Sequence, residues 1–230
     1  MNSIMLFHNR STAGEELAQL VHQQLLELPN NRQVIVYALP RGGIPVAIPI
    51  AKQLNCPLDV IVAKKITTPT NRELAIGAVT SEGNILWTKP QLWRDANLRG
   101  LKEAVLQAEE QAKTQALEFA SYRLPLNPQG KIAIIVDDGI ATGMTMGVAA
   151  QYLREQQVAE IWLCAPVAPP DLIPQLELWS NRVLVLATPD PFFSVSRFYQ
   201  HFDQVSLTDA ITMLKNHNQQ FQPTLSQKDL

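Results

Sequence analysis

Short runs of branched apolar residues, Val34–Leu39, Leu58–Ala63, Ile132–Val136, Glu160–Ala165 and Arg182–Ala187, recur along the chain, each bounded by turn residues. Continuous apolar runs of this length mark strands buried on both faces. Between them lie segments with helical apolar spacing. Thr12–Leu28 brings Leu17, Leu20, Val21, Leu25 and Leu28 to one side, and Ile44–Leu54 and Met144–Gln157 are similar. Strand then helix, repeated, predicts an α/β fold: a doubly wound parallel sheet with right-handed crossovers, as a single domain over residues 1–230. In such sheets ligands sit outside the carboxyl ends of the strands, so the loops that follow the strands are where to look for chemistry.

The stretch Gln91–Arg123 departs from the alternation. It is rich in Ala, Gln, Glu and Leu and predicts one extended helix, broken near Gly100, inserted into the α/β core. Its apolar positions Leu98, Leu101, Val105, Ala108, Ala112 and Leu117 suit packing on the core, or else on a second subunit. Pro125 and Pro128 end the helix, and the Gln- and Asn-rich tail, 216–230, is expected to fray.

Composition narrows the function. A chain of 230 residues can bury roughly 70% of its unfolded surface, so it needs no disulfides or structural metal. Cys56 and Cys164 stand apart with no zinc-ligand spacing. Lys+Arg 19 against Asp+Glu 21, with no basic run, argues against a nucleic-acid surface. No apolar run approaches the roughly 20 residues of a membrane span, and Met1–Arg10 lacks signal-peptide character, so the expected location is cytoplasmic.

The most informative segment is Lys131-Ile-Ala-Ile-Ile-Val-Asp-Asp-Gly-Ile-Ala-Thr-Gly-Met-Thr145. An apolar strand ends in adjacent carboxylates, Asp137 and Asp138, and a Gly/Thr turn leads into a helix. Backbone amides at a helix start suit a phosphate monoester, and Thr142 and Thr145 add hydroxyl donors. Carboxylates beside a phosphate cradle would repel it unless they held ribose hydroxyls or a divalent cation, so the parts describe a sugar-phosphate site. The plainer alternative is that Asp138 or Thr142 caps the helix while Gly139 makes the turn. A second loop, Leu39-Pro-Arg-Gly-Gly-Ile44, also joins strand to helix. Gly42 and Gly43 permit unusual backbone angles and close approach of amides to an anion, and Arg41 adds a planar fork for phosphate oxygens; alternatively it is a turn with a solvated arginine. Lys64 and Lys65, at the end of the second apolar run, either reach the same anion or are solvated.

The segment resembles the type I phosphoribosyltransferases, whose fingerprint is four apolar residues, two acidic residues and a short loop ending in Thr-Gly. Ala133–Val136, Asp137-Asp138 and Ile140-Ala141-Thr142-Gly143 match it in order. The resemblance spans Phe7 to about Leu214 and is nearest to stand-alone bacterial phosphoribosyltransferase-like proteins. These share a Phe-x-(Asn/Asp)-Arg start, Leu-Pro-Arg-Gly-Gly and Asp-Asp-Gly-x-Ala-Thr-Gly. It implies transfer of the phosphoribosyl group of phosphoribosyl pyrophosphate to a nitrogenous, nucleobase-like acceptor with release of pyrophosphate, in a Mg²⁺-dependent homodimer. Asp137 and Asp138 would hold the ribose 2′- and 3′-hydroxyls and meet Mg²⁺ only through substrate or water. The turn Gly139, Ile140, Ala141, Thr142, Gly143, Met144 and Thr145 would complete the substrate site, with Ala141 to Thr145 around the 5-phosphate. Pro40, Arg41, Gly42 and Gly43 would form the pyrophosphate loop, with a non-proline cis bond at Pro40–Arg41, and Lys64 and Lys65 would assist.

The polar segment Thr67–Glu73 falls where the family has a flexible lid. Arg41, Glu73, Asp137 and Asp138 are the candidate catalytic residues. The 6-oxopurine enzymes carry an aspartate acid/base at the position of Ala141, which disfavours that chemistry here. Adenine-type members have alanine there and use a lid glutamate, making Glu73 its counterpart, although the surrounding residues do not match the adenine enzymes' aromatic lid motif. Gly139 replaces the family's usual apolar residue, which loosens the loop or lets the backbone approach a ligand. Residues 189–202 with Phe7–Arg10 are candidates for the small hood over the acceptor. Phe192, Phe193, Phe198 and Tyr199 would stack on a flat ring there, Phe192 and Phe193 being the acceptor-binding candidates, or the aromatics serve as core or dimer contacts. His8 and His201 have no evident partner and read as surface residues. The rival reading is a non-catalytic sensor of phosphoribosyl pyrophosphate; such regulators often lose the basic residue that Arg41 supplies here.

Overall fold

Each apolar run forms a strand, and the segments between them form helices. The computed structural model describes residues 5–29, 32–68, 71–88 and 98–221, apart from the side chains of 68, 71–74, 98 and 99. In chain order these hold α1 (Arg10–Leu26), β1 (Val34–Ala38), α2 (Gly43–Gln53), β2 (Leu58–Val60), β3 (Ala63–Thr68), β4 (Asn71–Thr80), β5 (Ile85–Trp87) and α3 (Leu98–Phe119). There follow β6 (Ile132–Val136), α4 (Met144–Glu155), β7 (Glu160–Val167), α5 (Ile173–Trp179), β8 (Arg182–Ala187) and α6 (Leu207–Asn218).

The main sheet is parallel throughout, in the order β2-β1-β6-β7-β8. Alternate side chains enter opposite layers. Val36, Ala38, Ile132, Ile134 and Val136 pack with α1, α2 and α6, whereas Ile35, Tyr37, Ala133 and Ile135 pack with α4 and α5. From β1 the chain crosses to the edge strand β2 through α2, and from β6 in the opposite direction to β7 through α4. The carboxyl ends of these adjacent strands are therefore the switch point of the sheet, where two diverging crossovers leave a crevice.

Five sequence expectations change. The run Leu58–Ala63 divides: only Leu58–Val60 joins the parallel sheet, while Ala63 opens a second, antiparallel sheet of order β3-β4-β5 that the polar residues of this region concealed. Its Ile66, Ile76 and Val79 pack on Leu101, Ala104 and Ala108 of α3, and Ala78, on the other face, packs on Met144 and Val148 of α4. The lid expected over Thr67–Glu73 is thus a strand pair with irregular register near Thr67, and residues 69–70 between the strands lie outside the described set.

The inserted helix runs through Gly100 unbroken, and residues 91–97 lie outside the described set. Its first half covers the second sheet, and Ala112 and Phe119 enter the main core. Leu117, expected to pack, is exposed because it falls on the outer side of the helix. Nor does the tail fray from Asn216. His217 and Asn218 are buried at the end of α6, where Asn218 donates through Nδ2 to the Leu58 carbonyl at 2.7 Å and accepts from the Leu58 N–H at 3.2 Å, so helix and strand hold each other. Residues 222–230 lie outside the described set.

Candidate active site

The loop between β6 and α4 begins where two aspartates leave the strand. The Asp138 N–H donates to Asp137 Oδ1 at 2.9 Å, folding one carboxylate back on the turn. Asp138 turns the other way: its Oδ2 accepts from Arg10 Nε at 2.7 Å, with both side chains largely covered. Burial pushes both carboxyls above the ordinary aspartate range. At Asp137 the neighbouring Asp138 charge adds to the rise, and the Asp138 N–H, Lys65 and Arg10 oppose it; at Asp138 the opposition comes from Arg10. Two crowded carboxylates gain when hydroxyl donors or a cation reach them, so the pair is poised for a polyol or a metal complex.

The turn beyond them carries no side-chain cap. Gly143, at φ +70°, is the residue before α4, and no side chain accepts from the first amides of that helix. The cap position itself is Gly143, so neither Asp138 nor Thr142 caps the helix, and Asp138 is engaged by Arg10 instead. Side-chain capping is the common way to satisfy such N–H groups, and amides left without it suit phosphate oxygens. Ala141 and Thr142 are exposed on the turn, and Thr145 is half-buried in the first turn of α4. Ile140 and Met144 instead turn their side chains into the cores on either side, leaving only their backbones to the crevice. Gly139 has a packing role. A Cβ there would overlap Val195 and touch Val167, so the small residue seats the 189–202 segment against the turn.

The loop between β1 and α2 lies directly opposite. The Pro40–Arg41 peptide is cis, as the resemblance implies. Gly42 has ordinary helical angles, φ −63° and ψ −31°, so glycine is required there for space and not for backbone freedom. A Cβ on Gly42 would collide with the Asp138 carboxylate and sit 3.3 Å from Arg10 Nε. Gly43 likewise lets α2 begin against the Val136 carbonyl. Arg41 and Lys64 line a cavity of about 640 Å³ whose opposite wall is the polar side of α3, including Gln107, Gln111, Gln115 and Glu118. Burial and then Arg41 lower the Lys64 pKa, while Glu118 opposes the shift. Lys65, next on β3, is exposed and contributes to the field at Asp137. Glu73 belongs to β4 by its backbone, and its side chain lies outside the described residues.

The 189–202 segment meets the N-terminus at a bridge between Phe7 and Tyr199, with the Gln200 N–H donating to the Phe7 carbonyl at 2.9 Å and the His201 N–H to the His8 carbonyl at 2.9 Å. Phe7, Phe198 and Tyr199 are buried together with Val167. Phe192 leans on Phe198 at 5.1 Å, and Phe193 is 65% exposed with Arg197 over its ring at 4.8 Å. Of the candidate stacking rings, Phe192, Phe198 and Tyr199 therefore belong to the aromatic cluster and Phe193 faces outward. His8 and His201 are on the surface, but not partnerless: their rings meet edge-on at 4.8 Å, and His8 Nδ1 lies 2.8 Å from Gln200 Oε1. Tyr199 donates from its hydroxyl to the Asp138 carbonyl at 2.6 Å. The sequence offers Arg10 and Tyr199 only as parts of the candidate hood, whereas the structure brings both to Asp138. Asn9 and Thr12 form a reciprocal cap for α1, whose first residue is Arg10.

Comparisons with known proteins agree with this geometry. Residues 7–174 match the family described as the phosphoribosyl transferase domain. Proteins from two Mycobacterium tuberculosis strains, CDC 1551/Oshkosh and H37Rv, carry provisional phosphoribosyl transferase names and are each 36% identical over 225 residues, 94% of this chain. The chain spans about half, 48%, of the length of these relatives. The crystal structure of TT1426 from Thermus thermophilus superposes with a TM-score of 0.74 at 29% identity, covering 92% of this chain and 99% of that one. With the Asp-Asp turn and the glycine loop facing each other at the switch point of the parallel sheet, the chain belongs to the phosphoribosyl transferase domain family.

Proposed function

We propose that the protein is a phosphoribosyltransferase that moves the phosphoribosyl group of phosphoribosyl pyrophosphate to a nitrogenous acceptor and releases pyrophosphate. Support for this reading comes from the close approach of Gly42 to the Asp138 carboxylate, on a loop whose helix α4 starts at a glycine with no side-chain cap: carboxylates suited to ribose hydroxyls and amides suited to a phosphate. In this reading Asp137 and Asp138 accept from the ribose hydroxyls, and the backbone of Ala141 to Thr145 with the hydroxyls of Thr142 and Thr145 holds the 5-phosphate. Arg41, Lys64 and Lys65, with the amides of Gly42 and Gly43, face the pyrophosphate. Their positive charge favours the departure of pyrophosphate as the anomeric C–O bond breaks and the acceptor nitrogen bonds to the same carbon. Ala141 offers no acid or base to the acceptor, and Glu73 is the residue proposed for that proton.

Among the described residues no group of three or more His, Cys, Asp or Glu forms a ready metal cage. The donor set fits Mg²⁺ held chiefly by substrate oxygens and water, with Asp137 and Asp138 nearest. When bound, Mg²⁺ neutralises charge on the leaving pyrophosphate. No helix among the described residues is long and apolar enough to cross a membrane, and a cytoplasmic homodimer is the form proposed.

The test is a screen of nucleobases and small amines for acceptor-dependent pyrophosphate release. Release with one acceptor class, reduced about a hundredfold or more by Glu73→Gln, supports both the reaction and the role of Glu73. Full turnover of the variant removes Glu73 from the mechanism, and binding of phosphoribosyl pyrophosphate without release by any acceptor overturns the transferase reading.

A further inference from the structure

An ion pair spans the crevice and joins the two ends of the chain to its middle. Arg10 Nε donates to Asp138 Oδ2 at 2.7 Å, its other arm donates through Nη1 to the Asp203 carbonyl at 2.7 Å, and its guanidinium lies 3.7 Å from the centre of the Phe202 ring. Three fixed contacts leave this side chain little rotamer freedom, and it is only 12% exposed. The same oxygen, Asp138 Oδ2, abuts Gly42, where even a methyl group would not fit. Two further contacts hold the backbone beneath it: the Tyr199 hydroxyl on the Asp138 carbonyl, and Val195 in the space that a side chain at position 139 would fill.

We infer that Arg10 is a positioning residue: by engaging Asp138 Oδ2 through a guanidinium clamped between Phe202 and the Asp203 carbonyl, it aims the remaining oxygen of Asp138 at a ligand hydroxyl. The inference rests on the ribose role proposed above for Asp138. A carboxylate at the end of two free torsions forms a hydrogen bond of defined direction only if something holds it, and a rigid fork stacked on a ring does so better than a flexible ammonium. The same clamp connects the segment over the crevice to the ribose grip, since Phe202, Asp203 and Tyr199 all come from that segment or its continuation.

The experiment compares ribose 5-phosphate with inorganic phosphate by calorimetry on the full chain. Arg10→Met is expected to weaken ribose 5-phosphate by about tenfold or more, with inorganic phosphate changed less than about twofold. Arg10→Lys restores only part of the loss, since an ammonium cannot reproduce the stacked fork. Phe202→Leu, which leaves the ion pair but removes the ring beneath it, shows the same pattern at about threefold and serves where the Arg10 variants do not fold. Unchanged ribose 5-phosphate affinity in Arg10→Met, equal losses for both ligands, or full rescue by lysine would overturn the positioning role. If the wild-type protein binds phosphate but shows no preference for ribose 5-phosphate, the ribose reading of Asp138 itself fails, and the role of Arg10 with it.

Discussion

Two aspartates, Asp59 on β2 and Asp138 beyond β6, are each paired with an arginine distant in sequence, and the pairs are built differently. Asp59 is closed. Arg123 donates to both of its oxygens, at 2.7 and 2.8 Å, and Oδ1 also accepts from the Val60 N–H at 2.8 Å. That pair fastens the segment after α3 to the edge strand, and the hydrogen bonds to Asp59 raise the already high Arg123 pKa further. Asp138 is open. Arg10 reaches one oxygen through a single N–H, and the carboxyl is held above its ordinary range in spite of the arginine. A saturated carboxylate stabilises the fold; one left half-satisfied in a crevice, beside a second carboxylate, is free to serve a ligand.

The contrast is sharpest if the carboxylates are neutralised in turn. Asp138→Asn is expected to reduce affinity for phosphoribosyl pyrophosphate by about a hundredfold or more, because a charge-assisted acceptor becomes an amide, while the melting temperature holds or rises. Asp59→Asn should do the reverse. Leaving Arg123 without its partner costs about 2–3 kcal/mol, at or below the lower end for a buried pair because Arg123 is 30% exposed, with ligand affinity within about twofold of wild type. Equal ligand effects from the two changes would erase the distinction. A subtler disturbance is Gly42→Ala, whose methyl group displaces the Asp138 carboxylate: about tenfold weaker ligand binding for a stability change of about 1 kcal/mol, seen by calorimetry and thermal melting.

The smallest effect is on pH dependence. With its carboxyl held above the ordinary range, Asp137 binds its proton more tightly in the folded protein than in the unfolded chain. Stability of the ligand-free protein therefore falls as pH rises from the ordinary aspartate value through the raised one, and the loss persists above it. Asp137→Asn should flatten that slope, so its gain in melting temperature shrinks on acidification through the same window. An identical slope in both proteins would show that Asp137 carries no such burden.

The parallel core was legible because strands buried on both faces are written as unbroken apolar runs; Ile132–Val136 and Arg182–Ala187 have the predicted bounds. The second sheet was not, since β3 mixes Lys64, Lys65, Thr67 and Thr68 with a single buried isoleucine and its packing partners arrive only with α3 and α4. The Asp-Asp turn stood out because its residues are contiguous. Arg10 and Tyr199 did not, lying 128 and 61 positions from Asp138 with nothing local to mark their convergence, and the same holds for Phe202 beneath Arg10. Gly42 and Gly139 also admit a neighbour, Asp138 in one case and Val195 in the other, and such a close approach leaves no trace in sequence beyond the glycine itself.

The central claim is that the Asp137–Asp138 turn grips a phosphorylated ribose. Titration of the wild-type protein and of Asp137→Asn/Asp138→Asn with phosphoribosyl pyrophosphate in the presence of Mg²⁺ tests it directly. Saturable binding by the wild type, lost in a double variant that melts no lower, is the predicted result; equal affinity in the two proteins would contradict it.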